Sequence, residues 1–341
     1  KMVDYRTKRI QKNYYETLEV CPRARDEVIK AASRTLMKIY GPDMKGEDDK
    51  IFQRIVEAKD VLTDKNRREE YDRNRINLDG KIVGNYRILE MIAEGGFGKT
   101  YLAEQINLGT KVCIKHSHFI SPQEEEVLVE EARAIWDLRH YGIPAMRDAF
   151  RLEDESLALV MSYIPGFTLE QIIEKTKKID PENVAWIAER SLNVLKYLHY
   201  HGVVHGDVKP QNIIVQPQTH NVVLVDYGLS AIRPTSIHRS KGYTPFFAAP
   251  EQENGKTLLP ESDFYGLGMT MIYALGGDVG KKKVPSNVPD EICSFIKSLI
   301  VRDVLSRPNW EKSDLVEDLQ RIREKAFGRK HSNMLEIGGL K

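Results

Sequence analysis

The sequence has few cysteines, no long apolar run and almost no net charge. Its three cysteines, Cys21, Cys113 and Cys293, are too far apart to suggest a disulfide framework or a pair of metal ligands, and this usage favours a reducing, cytoplasmic compartment. The net charge is +1, which gives no reason to expect a nucleic-acid-binding surface. Because no apolar run reaches the roughly 18 residues of a membrane span, we expect no membrane-spanning segment.

The sequence also lacks internal repeats and long low-complexity tracts, and its composition changes near residue 78. Before that point glycine and proline are scarce, and apolar residues recur at helical spacing. From Tyr86 onward, short β-branched and aromatic runs separated by turns predict strands, and helical periodicity returns after about residue 165. We therefore predict an α+β chain with these parts in order: a helical domain 1–77, a linker 78–85, a larger domain 86–327 that divides into a strand-rich part 86–161 and a helix-rich part 162–327, and a tail 328–341.

The N-terminal domain shows two helical apolar stripes. The first predicted helix spans 25–40, and its stripe consists of Val28, Ala31, Leu36 and Ile39. The stripe of the second predicted helix consists of Ile51, Ile55, Ala58 and Leu62. The loop Gly41-Pro42-Asp43 separates them, and because proline ends the first helix, the two helices are expected to pack as an antiparallel pair.

Three motifs in this region resemble a J-domain, over about residues 11–75: Tyr14 to Val20, the Pro42-Asp43 loop, and Ala58 to Asp64 continuing through Tyr71-Asp72. J-domains carry His-Pro-Asp in this loop, and the family needs that tripeptide to stimulate the Hsp70 ATPase. Here Gly41 replaces the histidine. The resemblance therefore implies a protein partner for an adapter or regulatory module, and the glycine argues against stimulation of Hsp70.

The second domain opens with a glycine-rich segment followed by a lysine. Glycines at 95, 96 and 98 would let the backbone approach phosphate groups, although glycine-rich turns between strands are common. Lys115 follows Val112-Cys113-Ile114, and a lysine inside a buried strand needs an anion to balance its charge. Glu131, in the helix that starts near Ser121, gains significance only as a carboxylate partner for Lys115.

The most informative segment is His205 to Val215, in which polar residues interrupt an otherwise apolar stretch. Asp207 and Asn212 are spaced so that one can accept a hydroxyl proton and the other can hold a divalent cation. Asp226, in Val225-Asp226-Tyr227-Gly228, is a second oxygen ligand suited to Mg²⁺. A coincidental turn explains any one of these pieces, but the joint order of glycine loop, lysine, glutamate, Asp…Asn and Asp-x-Gly is specific.

Residues 86–327 resemble a eukaryotic-type (Hanks-type) Ser/Thr protein kinase domain. The resemblance implies a bilobal fold with a small β-rich N-lobe and a large helical C-lobe. It implies Asp207 as the catalytic base, Lys209 as the group that stabilises the transferred phosphoryl, and Asn212 and Asp226 as ligands of Mg²⁺ or Mn²⁺. It also implies a set of residues that contact or position ATP: Ile92, Gly95, Gly96, Gly98, Thr100, Cys113, Lys115, Glu131, Met161, Tyr163 and Ile214.

Further matches support the same resemblance. Ala249-Pro250-Glu251 is similar to the motif that closes the family's activation segment, and Arg307 occupies the place of its ion-pair partner. Asp263 is expected to brace the catalytic loop, and Thr244 is expected to touch Asp207 and Lys209.

Three departures from the family pattern carry expectations of their own. Ala93 replaces the first glycine of the glycine-rich loop. Gly206 replaces an arginine that in the family binds a phosphate on the activation segment, which predicts activity that does not require phosphorylation there. Tyr227 replaces a phenylalanine, and its hydroxyl needs a partner if it is buried.

These observations lead to one main functional hypothesis and two alternatives. The main hypothesis is a Ser/Thr kinase that transfers the γ-phosphate of ATP to protein hydroxyl groups. The first alternative is a pseudokinase or scaffold that binds nucleotide or a partner without catalysis, which Ala93 favours and the retained Lys115, Glu131, Asp207, Asn212 and Asp226 oppose. The second is a chaperone cofactor with a regulatory kinase domain, which requires the missing loop histidine to be dispensable.

Overall fold

The computed structural model describes residues 14–21, 24–41, 47–75, 78, 80–95, 98–116, 122–152, 156–235 and 240–329. The chain divides into two compact units. The first unit contains residues 1–128 and 148–160, and the second contains residues 129–147 and 161–341.

Among the described residues, the N-terminal part of the first unit contains four helices: α1 Tyr14–Thr17, α2 Asp26–Ile39, α3 Glu47–Leu62 and α4 Lys65–Arg75. Their apolar side chains form one core, to which α3 contributes Ile51, Ile55, Ala58 and Leu62, all without solvent exposure. The predicted apolar face of this second long helix is therefore confirmed.

The predicted face of α2 is wrong in most of its positions. Val28 is 51% exposed and Ile39 is 58% exposed, whereas the buried residues of this helix are Ile29, Ser33 and Leu36. The buried positions follow the four- and three-residue steps of a helical face. Ser33 belongs to that face because its hydroxyl donates a hydrogen bond to the carbonyl oxygen of Lys30, so its burial leaves no unpaired donor.

Hydrogen bonds join helix α4 to helix α1. The Tyr15 hydroxyl donates to Asp72 Oδ2 at 2.8 Å and accepts from Arg68 Nε at 2.9 Å. The Tyr71 hydroxyl accepts from the Tyr14 backbone nitrogen at 2.8 Å. The tyrosines and the Tyr-Asp pair at the two ends of the J-domain-like motif therefore contact one another directly.

A six-stranded sheet in the order β1-β2-β3-β4-β6-β5 follows. Its strands are β1 Ile82–Val83, β2 Tyr86–Gly95, β3 Gly98–Gln105, β4 Thr110–His116, β5 Met146–Arg151 and β6 Leu157–Ser162. β1 through β4 pair as successive antiparallel neighbours. The stretch 78–85, predicted to be a linker, contributes β1 to this sheet and the buried side chains of Leu78 and Val83 to its core.

The remaining helices are α5 Pro122–Ile135, α6 Leu169–Thr176, α7 Pro181–Tyr200, α8 Pro250–Glu253, α9 Pro260–Ala274, α10 Asp290–Leu299 and α11 Leu315–Phe327. Short strands accompany them: β7 Phe167–Thr168, β8 Val203–Val204, β9 Ile213–Gln216, β10 Asn221–Leu224 and β11 Ala231–Ile232. They form a β10-β9-β7 sheet and a β11-β8 pair.

Two long helices, α7 and α9, contribute many of the buried residues of the second unit. α9 is buried along nearly its whole length, including Phe264, Leu267 and Met271, so it is an interior helix. α7 begins at the N-cap Asp180, whose side chain accepts a hydrogen bond from the Asn183 backbone nitrogen at 3.0 Å. The predicted order of helices, sheet and helices is confirmed. Within the described ranges, no helix combines the length and apolar character needed to span a bilayer.

Candidate functional site

Asp207, Lys209 and Thr244 form a closed triangle of polar groups in the second unit. The Thr244 hydroxyl donates to Asp207 Oδ1 at 2.6 Å, and Lys209 Nζ lies 2.8 Å from Asp207 Oδ2. Lys209 Nζ also donates to the Thr244 hydroxyl at 2.9 Å. Each member contacts the other two, so the orientation of the buried Asp207 carboxylate is fixed from both of its oxygens.

Asn212 is held against the same aspartate. The 3₁₀ turn Pro210–Asn212 returns the chain to Asp207, and the Asn212 amide nitrogen donates to the Asp207 carbonyl oxygen and to Asp207 Oδ2, both at 2.9 Å. Because these bonds engage the nitrogen, the amide oxygen of Asn212 is the atom that can act as a ligand.

Asp226 follows β10, and a backbone hydrogen bond joins its segment to Asn212. The Val225 backbone nitrogen donates to the Asn212 carbonyl oxygen at 2.9 Å, one residue before Asp226. Asp226 is exposed and has a φ of +65°, a left-handed conformation that aspartate tolerates better than most residues. An amide oxygen and an exposed carboxylate suit a hard divalent cation. Asn212 and Asp226 therefore fit the predicted metal site, and that assignment stays a prediction.

Asp263, from the buried helix α9, supports the backbone of the 205–212 loop. Its carboxylate accepts from the His205 backbone nitrogen at 2.8 Å and from the Gly206 backbone nitrogen at 2.7 Å. His199 Nε2 lies 2.8 Å from the same carboxylate, and Trp310 Nε1 lies 2.8 Å from His199 Nδ1. Because an indole nitrogen only donates, His199 Nδ1 is the acceptor, and His199 Nε2 carries the proton given to Asp263.

His205 and Tyr227 pack together behind the loop, with ring centroids 4.8 Å apart. His205 Nδ1 accepts from the Asp207 backbone nitrogen at 3.2 Å, so His205 Nε2 donates to the Val225 carbonyl oxygen at 3.2 Å. The buried Tyr227 hydroxyl donates to the Leu224 carbonyl oxygen at 3.2 Å. This bond supplies the partner that the sequence predicted for a buried hydroxyl.

Gly206 has a backbone that only glycine adopts readily, with a φ of +76°. A Cβ atom at this position would lie 2.6 Å from the Leu229 carbonyl oxygen and 2.9 Å from Leu258 Cδ1. The chain therefore has no space for the arginine that the resemblance places here.

Glu251 and Arg307 form a buried, bidentate ion pair. Arg307 Nη1 donates to Glu251 Oε1 at 2.7 Å, and Arg307 Nη2 donates to Glu251 Oε2 at 2.8 Å. The Ser262 hydroxyl adds a third bond at 2.7 Å. Burial alone would raise the pKa of Glu251, but the hydrogen bonds from Arg307 and Ser262 outweigh it and hold that pKa below its ordinary value.

Several predicted nucleotide-contacting residues share one face of the sheet in the first unit. Thr100 pairs with Ala93 on β2 and with Lys115 on β4, so these three side chains are cross-strand neighbours. Cys113, two residues before Lys115, lies on the same face, whereas Ile114 points into the core. Burial raises the pKa of the Cys113 thiol to about 12, and the charge of Lys115 opposes this only in part.

The structure places the other predicted residues as follows. Gly95, the last residue of β2, pairs with Gly98, the first residue of β3, and Ile92 is 46% exposed on β2. In the second unit, Met161, Tyr163 and Ile214 are each half-buried. Gly96 and the side chain of Glu131 lie outside the described residues.

Three buried or partly buried polar residues of the site had no assignment from sequence: His199, Gln252 and Trp310. They act through hydrogen bonds to residues 46 to 111 positions away along the chain, and such contacts leave no local pattern. The sequence offered one weak indication of such residues, which is that Trp310 lies three positions after Arg307.

Comparison with known proteins gives two family matches. The model of the protein kinase domain family matches residues 86–314, and the model of the DnaJ domain family matches residues 13–72.

Individual relatives match the larger domain. The chain is 30% identical over 205 residues to the serine/threonine-protein kinase PrkC of Bacillus subtilis, which covers 58% of this chain and 31% of that protein. It is 30% identical over 227 residues to the serine/threonine-protein kinase D of Synechocystis, covering 61% and 43%. It is 32% identical over 206 residues to the serine/threonine-protein kinase PknA of Mycobacterium tuberculosis, covering 58% and 48%. The chain thus spans about a third to a half of the length of these curated relatives.

Proposed function

The chain belongs to the protein kinase family, and we propose that it is an active Ser/Thr kinase, which transfers the γ-phosphate of ATP to hydroxyl groups of proteins. The observation that carries this proposal is the arrangement of Asp207, Lys209, Thr244 and Asn212, which keeps a carboxylate, a cation and an amide within hydrogen-bond reach of one another. The names of the matched relatives support serine and threonine as acceptors.

Asp207 is proposed to bind the acceptor hydroxyl group through Oδ1. A carboxylate can accept about four hydrogen bonds, two at each oxygen. Asp207 Oδ2 is engaged by Lys209 and Asn212, whereas Oδ1 receives only Thr244 among the described residues. The remaining site on Oδ1 can orient a substrate hydroxyl and take up its proton.

Lys209 is proposed to stabilise charge on the transferred phosphoryl group. Phosphoryl transfer requires little covalent work from a protein, so catalysis consists mainly of positioning and charge stabilisation. A cation bound by Asn212 and Asp226 would neutralise charge on the phosphates of ATP. Lys115, Glu131 and the other nucleotide-contacting residues predicted above are proposed to bind and position ATP.

Domain roles follow from this assignment. We assign catalysis to residues 86–327, and an adapter or regulatory role in the cytoplasm to the helical domain 1–77. Gly41 supports this role because the loop lacks the histidine associated with Hsp70 stimulation, and a Cβ atom there would meet no atom of the described residues within 4 Å.

The alternative is a pseudokinase that binds nucleotide or a partner without transferring phosphate, and Ala93 in place of the family's first glycine favours it. Incubation with γ-labelled ATP, Mg²⁺ and a mixed protein substrate separates the two. Wild-type protein should place label on serine and threonine, and the Asp207→Asn variant should place almost none. If neither protein transfers label although both bind ATP, the pseudokinase hypothesis replaces ours.

A further inference from the structure

Gln252 lies directly after the Ala249-Pro250-Glu251 motif, in helix α8, and is only 3% exposed. Its amide nitrogen donates to the carbonyl oxygen of Gly206 at 2.6 Å and to the carbonyl oxygen of Gly242 at 3.1 Å. Two carbonyl partners identify the atom as nitrogen, because an amide oxygen cannot donate. One side chain therefore uses both of its N–H groups to join two distant backbone segments.

These two segments present the groups that orient the proposed catalytic base. Gly206 immediately precedes Asp207, and Gly242 lies two residues before Thr244. The hydrogen bond between Asp207 and Thr244 thus connects the same two segments that Gln252 joins. A shift of either backbone would change the length of this hydrogen bond.

No side chain at position 206 can attach the 240–244 segment to the loop. The φ of Gly206 is +76°, and a Cβ atom there would lie 2.6 Å from the Leu229 carbonyl oxygen, so an arginine could not be accommodated without a backbone shift. The segment must be held by groups elsewhere in the chain, and Gln252 supplies two hydrogen bonds of this kind.

Three further contacts hold the same segment. Lys241 Nζ lies 2.6 Å from Glu130 Oε2. The Ser240 hydroxyl donates to the Gln252 carbonyl oxygen at 3.1 Å, and the Ser240 backbone nitrogen donates to the Lys256 carbonyl oxygen at 3.2 Å. The backbone carbonyl oxygens of Gln252 and Lys256 therefore bind Ser240, in addition to the two bonds made by the Gln252 side chain.

We propose that Gln252 is a positioning residue for phosphoryl transfer, whose amide holds residues 240–244 against the 205–212 loop so that Thr244 orients Asp207 without a phosphate group. The inference rests on the proposed function and adds a regulatory consequence to it. Because these two bonds join the Gln252 amide to backbone carbonyl oxygens, the alignment of the site does not require a phosphate group on this segment.

Two substitutions remove the amide donor while keeping the size of the side chain. Gln252→Glu retains the shape, but a carboxyl group donates at most one hydrogen bond when protonated and none when ionised, so it cannot bind both carbonyl oxygens. Gln252→Met retains the length without polar atoms. We expect kcat to fall at least about tenfold in both variants, with the KM for ATP within about twofold of wild type, since the lost bonds act on the transfer step.

Asn254→Ala is the matched control. Asn254 belongs to the same short segment, but its exposed side chain bonds only to the nearby Pro250 carbonyl oxygen among the described residues. This variant should keep kcat within about twofold of wild type. If Gln252→Glu and Gln252→Met also keep kcat within that range, Gln252 has no positioning role.

Hydrogen exchange of the full chain without nucleotide reports on the same contact independently of activity. Amides in residues 240–248 should exchange faster in Gln252→Glu than in wild type or Asn254→Ala, while those of α3 and α9 should not change. If wild-type protein transfers no phosphate, the proposed function fails, but this comparison still tests Gln252. Unchanged exchange in residues 240–248 would overturn the inference.

If a Gln252 variant fails to fold, its amides will exchange faster throughout the chain. The activity of dephosphorylated wild-type protein then tests whether the site is aligned without a phosphate group. Protein treated with phosphatase and shown by mass spectrometry to carry no phosphate on residues 233–249 should keep its kcat within about twofold. A loss of tenfold or more, restored by rephosphorylation, would contradict alignment without a phosphate group.

Discussion

Thr244 links the two charged groups of the site through one hydroxyl. It donates to Asp207 and accepts from Lys209, at 2.6 and 2.9 Å, so it fixes the direction of both side chains. Removing this hydroxyl takes away the hydrogen bond at Asp207 Oδ1 and leaves the carboxylate held by Lys209 and Asn212 at Oδ2 alone, so its orientation is less well defined.

Thr244→Val should therefore lower kcat by about 10- to 100-fold, because a hydrogen bond to a charged group contributes about 1.5–3 kcal/mol. Thr244→Ser keeps the hydroxyl and should remain within about threefold of wild type. Steady-state phosphorylation assays of the two variants provide the comparison. Equal activity of the valine and serine variants would show that the hydroxyl does not orient Asp207.

Cys113 is expected to be chemically inert although it lies on the proposed nucleotide-contacting face. Burial raises the pKa of its thiol to about 12, so almost none is thiolate at pH 7, and the thiolate is the reactive form. Cys21 is exposed. Iodoacetamide at pH 7 should label Cys21 well before Cys113, and labelling should become equal in denaturant. Mass spectrometry measures this order, and faster labelling of Cys113 in the folded chain would contradict its burial.

The part of the site that lies within one short segment of sequence was predictable. Asp207, Lys209 and Asn212 lie within six positions, so their order in the sequence already predicts that they lie near one another, and the structure places them in contact. Gln252 and Trp310 were missed because they act on backbone atoms or on a histidine far away in the sequence. No local spacing rule describes such long-range hydrogen bonds.

At the scale of elements, the sequence predicted helix α3 more accurately than α2. The predicted face of α3, Ile51, Ile55, Ala58 and Leu62, follows unbroken four- and three-residue steps, whereas the face predicted for α2 contains a five-residue step from Ala31 to Leu36. In α2, Val28 and Ile29 are adjacent, and choosing Val28 rotates the predicted face by about 100°. The polar Ser33 gave no signal for the correct face, because its burial depends on a local hydrogen bond to the Lys30 carbonyl oxygen. The strand Ile82–Val83 was missed because two residues are too few to show alternation.

The Glu251–Arg307 pair joins helix α8 to the turn that follows Val304–Ser306, and Arg307→Met should destabilise the chain. Removing one partner of a buried ion pair costs about 3–5 kcal/mol, since the other charge stays buried without compensation. The matched double variant Glu251→Gln with Arg307→Met should recover part of this loss. Urea unfolding at pH 7 measures the difference.

The same pair predicts how stability depends on pH. The folded-state pKa of Glu251 is depressed, so its contribution is fully present above the ordinary value of 4.5 and is lost as pH falls through the lower folded value. In Arg307→Met the unpaired carboxylate gains stability when it is protonated. Burial raises the pKa of that unpaired carboxylate, so the difference in unfolding free energy between wild type and Arg307→Met should begin to narrow above pH 4.5 and should keep narrowing as the pH falls through the lower folded pKa of the wild-type group. A difference that stays constant with pH would contradict the ion pair.

At the scale of the whole molecule, the order of a DnaJ domain and a protein kinase domain followed from the composition change near residue 78 and from the motifs on either side. Motifs of this kind were predictable because each is local in sequence. Their chemical roles depend on partners that the sequence does not name. The function of the helical domain is the clearest example, since its resemblance predicts a partner and Gly41 argues against Hsp70.

The full chain is therefore expected to leave the ATPase rate of an Hsp70 unchanged. Gly41→His restores the motif residue at a position where a Cβ atom meets no described residue within 4 Å, and this variant should increase the rate. Single-turnover ATP hydrolysis by the Hsp70 measures both proteins. Acceleration by wild-type protein that is lost in an Asp43→Asn variant would assign the domain a cochaperone role.

The most direct test of the proposed catalytic role of Asp207 is the rate of phosphoryl transfer by the Asp207→Asn variant, measured in a single turnover with ATP affinity determined separately. The substitution retains the shape of the side chain but removes the group that accepts the hydroxyl proton. We expect a loss of at least about 10²-fold in the transfer rate with ATP affinity within about threefold of wild type. A variant that transfers phosphate at the wild-type rate would contradict the assignment of Asp207 as the catalytic base.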